Sequence, residues 1–291
     1  MIRIAVILAC CSAFLLNCTN VISPSDRIYQ ASEARFNFPF TDTTYTVNYQ
    51  GNPYQVYFKI PDNCNEELIL FLPGWNYSVL DWKNKTKVWK MADSLGFATL
   101  LVEMGKSVYM DSVYPEARAD YRTFPTRTWL KDSILYRFKE FGWFDTIAGS
   151  RIAHIIGLST GARGAVALAY ELPNLGLVSA LSGDYFTMMD TADALLKNSM
   201  GPYFKFPSRW KYGSNNIGNR GPISCDIFIA HGYEDKIVPF RHSEKIANRL
   251  QSLNIDSSEY QVFTYFPKKA GHNYYFWNEA GLKALEKISN R

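Results

Sequence analysis

The sequence predicts an α/β fold: a mostly parallel central sheet with an antiparallel N-terminal hairpin and helices on both faces. Three observations predict it. From Leu68 onward, short apolar runs rich in β-branched residues alternate with longer stretches of helical spacing, the pattern of repeated strand-helix units. Ahead of them, two runs of alternating aromatic and β-branched residues flank Gln50-Gly51-Asn52-Pro53, which reads as a hairpin. Midway along the chain a Gly-x-Ser-x-Gly pentapeptide, Gly157 to Gly161, lies between a strand-like and a helix-like stretch.

The first element is a targeting segment. Arg3 is the only charge before the apolar run IAVILACCSAFLL, which ends at Asn17-Cys18. This resembles a bacterial lipoprotein signal, in which cleavage precedes a Cys that is then acylated. Leu15 and Leu16 fit, while Asn17 replaces the usual small residue, and Cys10 is a second candidate with a shorter apolar run. Residues 1–18 are thus expected to be a signal segment with lipidation at Cys18. The mature protein is expected to be an outer-membrane or cell-surface lipoprotein, with periplasmic location or plain secretion as the alternatives. Residues 19–44, polar and carrying Ser23-Pro24-Ser25, read as a tether and lead-in.

Residues 45–291 read as one domain. YTVNY (45–49) and YQVYFKI (54–60) are the hairpin strands. Further strands are expected at 68–72, 97–102, 151–156, 175–181, 226–230 and 260–266. Helices are expected over Val79 to Leu95, Thr126 to Phe141, Ala162 to Leu172, Phe186 to Lys197, Arg241 to Leu253 and Tyr274 to Ser289. A stretch near 190–219, rich in aromatics, Gly and Asn, reads as a modest cap insert. In such a sheet ligands bind at the carboxyl ends of the strands.

Composition narrows the function. With 20% charged residues, a formal charge of +4 and Lys and Arg scattered among Asp and Glu, no basic stripe for nucleic acid is formed. No Cys or His cluster has metal-ligand spacing and no Gly-rich phosphate loop occurs, so no metal and no cofactor are expected. Beyond the signal segment only Cys64 and Cys225 remain, each just before a predicted strand. Strands several places apart, at about 4.8 Å per place, exceed disulfide reach, so no bridge is expected.

The chemistry starts at the pentapeptide. A strand, a sharp turn and a helix place Ser159 on the turn, its hydroxyl clear of the sheet and the helix N-terminus beneath it. Gly157 and Gly161 are needed where strand and helix pass closely. The loop after the 226–230 strand carries Asp235, and the loop after the last strand carries His272, both on the side where Ser159 emerges. Asp235 competes with Glu234 and with Asp184, and His272 with His154, His231 and His242. A loop histidine best reaches both a serine and a carboxylate; His154 reads as core and His242 as lying on a solvated helix. The turn after the 68–72 strand supplies backbone donors. The amides of Trp75 and Thr160 are the expected oxyanion hole. Trp75, Tyr77, Trp82, Tyr109, Trp210 and Trp277 are candidate pocket aromatics.

Four stretches in order, LPGWNYSVLDW, YRTF, GLSTGARGA and AGHNYYFW, resemble the α/β-hydrolase superfamily. Within it they are most similar to the esterase group that includes esterase D, feruloyl and acetyl xylan esterases and mycolyl transferases. Gly74, Ser78, Asp81 and Trp82 match that group's oxyanion loop, whereas Pro73, Asn76 and Tyr77 depart from it, and Arg163 beside the pentapeptide is also a departure. The resemblance, from Leu68 to the C-terminus, implies the α/β-hydrolase fold and a serine carboxylesterase working through an acyl-enzyme. With export, it implies a small-molecule or polysaccharide-linked ester as substrate, an acyl or feruloyl ester among them. A peptidase or acyltransferase of the same fold, or a non-catalytic lipoprotein that keeps it, are the alternatives.

Overall fold

The computed structural model describes residues 43–49, 52–121, 124–147, 149–254 and 260–291. The signal segment with Cys10 and Cys18, the tether to residue 42, and Arg122 and Thr123 of YRTF lie outside the described residues.

Strands β1 (Thr43–Tyr49) and β2 (Asn52–Lys59) pair antiparallel as the hairpin. Six strands follow: β3 (Leu68–Leu72), β4 (Ala98–Val102), β5 (Ala153–Leu158), β6 (Leu175–Leu181), β7 (Asp226–Ala230) and β8 (Val262–Tyr265). They are mutually parallel, β2 joins them antiparallel to β4, and the sheet order is β1-β2-β4-β3-β5-β6-β7-β8. Every residue of β3 to β6 is buried, because helices cover both faces; this is why these strands read as continuous apolar runs and not as alternating ones. Their side chains still divide by parity. Leu70, Ile155 and Val178 enter one core, and Ile69, Ile156 and Leu177 enter the other.

The helices are α1 (Asp81–Asn84), α2 (Val88–Ser94), α3 (Thr126–Trp129), α4 (Thr160–Ala169), α5 (Ala194–Met200), α6 (Pro207–Tyr212), α7 (Arg241–Leu253) and α8 (Tyr274–Ser289). Helices α4 and α7 pack into the first core through Val166, Ile246 and Leu250, and α2 and α8 into the second through Val88, Ala92 and Ala280. Residues Val108, Met110, Leu196, Met200 and Trp210, from α5, α6 and the loop after β4, form a third and smaller core.

Three expected helices are interrupted. Between Val79 and Leu95, Thr86 both donates to Trp82 O and accepts from Val88 N, closing α1 and opening α2. After α3 the chain continues as a π-helix (Leu130–Ile134) and a 3-10 helix (Leu135–Phe141). Its buried pairs Trp129-Leu130 and Ile134-Leu135 stand five residues apart, a step that an i to i+5 turn satisfies and an α-turn does not. Between Phe186 and Lys197 only α5 is helical, starting where the Asp193 carboxylate accepts from Leu196 N at 2.7 Å. Cys64 and Cys225 carry free thiols, and β5 and β6 lie between the strands they precede.

Candidate active site

Strand β5 ends at Leu158 and α4 begins at Thr160, so Ser159 alone makes the turn, with φ 55° and ψ −124°. A positive φ is strained for a side-chain-bearing residue, and neighbouring packing must hold it. The glycines provide the room. A Cβ on Gly161 would stand 2.5 Å from Leu72 O, and one on Gly157 would collide with the Gly161 carbonyl.

His272 lies between β8 and α8, where Asn273 Oδ1 caps the helix by accepting from Phe276 N at 3.1 Å. Its Nδ1 is 2.7 Å from Asp235 Oδ2 and its Nε2 is 2.9 Å from Ser159 Oγ. A carboxylate can only accept, so Nδ1 carries the proton and Nε2 is the acceptor facing the serine hydroxyl. The buried indole of Trp277 meets the imidazole edge-on at 4.9 Å and fixes the ring plane.

Asp235 follows β7 in a tight turn. Its Oδ1 accepts from Ile237 N and Val238 N, both at 2.9 Å. Its Oδ2 accepts from His272 and faces His231 Nε2 at 3.1 Å. Burial pushes this carboxyl up, but the hydrogen bonds from His231 and His272 outweigh it and hold Asp235 well below the usual carboxylate range. It stays ionised.

The competing residues are placed elsewhere. Glu234 is exposed, and Asp184 is engaged by Arg163. His154 is core, accepting from Leu177 N on Nδ1 and donating to Glu67 from Nε2. His231 lies beneath Asp235, its Nδ1 accepting from Ser243 Oγ at 2.7 Å. His242 corrects the sequence reading. It is 3% exposed and not solvated, because it continues the buried Ile246 and Leu250 stripe of α7 one turn earlier. That i, i+4, i+8 spacing is visible in the sequence and is the signal that finds it. His231, four residues before Asp235, has no such signal.

The turn after β3 rests against the serine: a Cβ on Gly74 would lie 3.1 Å from Ser159 Cβ. Asn76 N donates to Gly105 O, and Asn76 takes φ 54° to close the turn. The amides of Trp75 and Thr160 have no hydrogen-bond partner among the described residues. Both therefore remain available as donors beside Ser159.

A cavity of about 90 Å³ opens beside Ser159 and Thr160. Phe186, Leu196 and Val238 form its apolar wall, and Asp184, Asp190, Asp193 and His242 its polar one. Three of the expected pocket aromatics are packing residues instead. Trp82 is buried against Phe71 with Nε1 donating to Leu72 O. The Tyr109 hydroxyl donates to Pro73 O and its ring fills the space above Gly164. Trp210 donates to Gly201 O inside the small third core. Each indole or phenol needs a fixed acceptor when buried, and a backbone carbonyl supplies it. Tyr77 is not one of the residues lining this cavity; it is 37% exposed, with its ring 5.9 Å from Tyr274 and 6.1 Å from Trp277. Among the described residues no group of His, Cys, Asp or Glu is arranged to hold a metal ion.

A strained serine between strand and helix, joined to a loop histidine and a loop aspartate across a parallel sheet, defines a serine-histidine-aspartate triad on the α/β-hydrolase fold. No protein-family model matches the chain, and no curated protein matches its sequence. Solved structures share the fold. An S-formylglutathione hydrolase from Agrobacterium tumefaciens superposes with a TM-score of 0.63 at 15% identity, over 88% of this chain and 97% of that one. A fluorophosphonate-binding serine hydrolase of Staphylococcus aureus gives 0.61 at 15% identity, over 87% and 100%. An acylaminoacyl peptidase of Pyrococcus horikoshii gives 0.60 at 12% identity, over 90% of this chain and 42% of that one. This chain has the α/β-hydrolase fold.

Proposed function

We propose that the protein is a serine hydrolase of carboxylic esters that works through an acyl-enzyme. The observation that carries the proposal is the continuous hydrogen-bonded chain Ser159 Oγ, His272 Nε2, His272 Nδ1, Asp235 Oδ2, with links of 2.9 and 2.7 Å. Ser159 attacks the ester carbonyl while Nε2 of His272 takes its proton, and ionised Asp235 holds the tautomer and stabilises the imidazolium. The Trp75 and Thr160 amides, which have no other hydrogen-bond partner among the described residues, donate to the oxygen that becomes negative. His272 then protonates the departing alcohol, and in the second half it activates water against the acyl-enzyme. The solved hydrolases with this fold support the reading.

The N-terminal segment ending at Cys18 supports an exported enzyme held by lipid at the outer membrane or cell surface. The finer substrate reading, an acyl or feruloyl ester carried on polysaccharide, is supported only by the sequence resemblance together with export.

The test is labelling by a fluorophosphonate probe. The wild-type protein should be labelled and Ser159→Ala should not, with both variants giving the same circular dichroism spectrum. A folded wild-type protein that resists the probe, or a Ser159→Ala variant that still takes it, removes the proposal. Turnover of acetyl, feruloyl, longer acyl and peptide substrates then separates an esterase from a peptidase.

A further inference from the structure

The cavity beside Ser159 carries negative charge that ester hydrolysis does not use. Asp184, Asp190 and Asp193 all line it, and none takes part in the triad hydrogen bonds. Among the described residues one cation is ion-paired with them: the fully buried Arg163, whose Nη1 lies 2.8 Å from Asp184 Oδ2. Three carboxylates against one guanidinium leave two formal negative charges in the cavity wall. The ammonium of Lys245 stands over the Phe186 ring, 4.4 Å from its centroid, and is in no ion pair with these carboxylates among the described residues. Repulsion among the carboxylates is felt: burial, and then Asp184 and Asp190, push the Asp193 carboxyl up.

A second and independent observation comes from His242, 97% buried in the same wall. Its Nδ1 accepts from Tyr185 N at 3.1 Å and from Phe186 N at 3.3 Å, which leaves the ring proton on Nε2. That Nε2 has no partner among the described residues. Burial, Arg163 and His231 hold the imidazole neutral, pushing it down to about 4. The wall therefore presents one N–H donor without an acceptor and, among the described residues, two carboxylates in no ion pair.

We infer that the cavity binds a protonated amine carried by the ester substrate, its ammonium against Asp190 and Asp193 and a neighbouring substrate oxygen accepting from His242 Nε2. The inference rests on the esterase reading of Ser159 and narrows its substrate. Charge-assisted hydrogen bonds from an ammonium are the strong kind, and the apolar wall of Phe186 and Leu196 suits its methylene stem. A metal ion is not the alternative, since the described carboxylates and histidines form no metal-holding group. At about 90 Å³ the cavity is far below the roughly 300 Å³ at which pockets begin to enclose drug-sized ligands, so the group it takes is small.

Matched esters test this, differing only in an ammonium or a methyl group at the end of the chain. On the acyl side the pair is p-nitrophenyl 6-aminohexanoate and p-nitrophenyl heptanoate; on the alcohol side it is 6-aminohexyl and heptyl acetate. The wild type should prefer the amine by about tenfold in kcat/KM for one pair, the discrimination that about 1.4 kcal/mol gives. The preference should shrink as salt is raised. In Asp190→Asn/Asp193→Asn, where the amide oxygens still accept from Ala192 N and Leu196 N, the ratio should fall towards one. Asp190→Asn alone, at an exposed position, gives the same reading in part if the double variant does not fold. A wild-type ratio of one or less in both pairs, or a ratio that survives these substitutions, overturns the inference. Failure of the esterase reading is seen separately, as a Ser159 that no fluorophosphonate labels. The cavity is then read by hexylammonium against hexanol: the cation should raise the wild-type Tm, hexanol should not, and equal shifts overturn the inference.

Discussion

Arg163 Nη1 sits 2.8 Å from Asp184 Oδ2 directly beneath the serine turn, and Arg163 N donates to Ser159 O at 3.3 Å. The same guanidinium donates to Asp184 O and Asn215 O, so one side chain ties α4 to the exit of β6 and to the loop before β7. Removing one partner of a buried pair leaves the other charged and unpaired, at a cost of about 3–5 kcal/mol. Arg163→Met should therefore lose stability of that order in urea denaturation, and adding Asp184→Asn should restore part of it. A loss below about 1 kcal/mol would show that the pair is not structural.

The acid of the triad is decided by comparing two carboxylates. Asp235→Asn leaves the geometry but presents the wrong tautomer of His272, and should lower kcat by about 10⁴. Ser159→Ala and His272→Ala should each cost about 10⁶. Asp184→Asn should cost far less on a neutral ester. Should Asp184→Asn prove severe and Asp235→Asn nearly silent, the acid is Asp184.

Stability should depend on pH through His242. Its folded value of about 4 lies below the ordinary histidine value of roughly 6.5, so the unfolded chain binds more protons between the two. The contribution is complete above about pH 6.5 and is lost as pH falls towards 4, amounting to about 3 kcal/mol. His154, held low by burial despite Glu67, acts in the same direction. Asp235 adds a loss only below the unfolded carboxyl value of about 4. Urea melts from pH 4.5 to 7.5 should show this slope, and His242→Gln should flatten much of it. An unchanged slope in that variant assigns the effect to another group.

Lipid attachment is tested at the N-terminus. Cys18→Ser should abolish incorporation of radiolabelled palmitate and release the protein from the membrane fraction, with esterase activity kept. Labelling that persists in Cys18→Ser and disappears in Cys10→Ser moves the anchor to Cys10. Several buried acyl chains, at about 0.8 kcal/mol per methylene, are what make such attachment stable.

The sequence shows most of the sheet because a strand covered on both faces has no choice but to be apolar, as LILFL and AHIIGL are. It shows Ser159, Asp235 and His272 because each stands on a loop at the carboxyl end of a recognisable strand. What it hides depends on packing between distant segments. The five-residue step in Trp129-Leu130 and Ile134-Leu135 looks helical until its partners impose a π-turn. Trp82, Tyr109 and Trp210 look like pocket aromatics until the carbonyls of Leu72, Pro73 and Gly201 take their donors. Arg163 is an oddity in the sequence alone, since nothing near it marks Asp184 and Asn215 as its partners.

The third core, from Val108 to Trp210, is separate from the two that hold the sheet, yet Val108 and Leu196 from it also wall the cavity beside Ser159. Substitutions there can reshape the cavity while the two cores that hold the sheet stay in place, and through Trp75, which packs on the same cluster, they also reach the oxyanion loop.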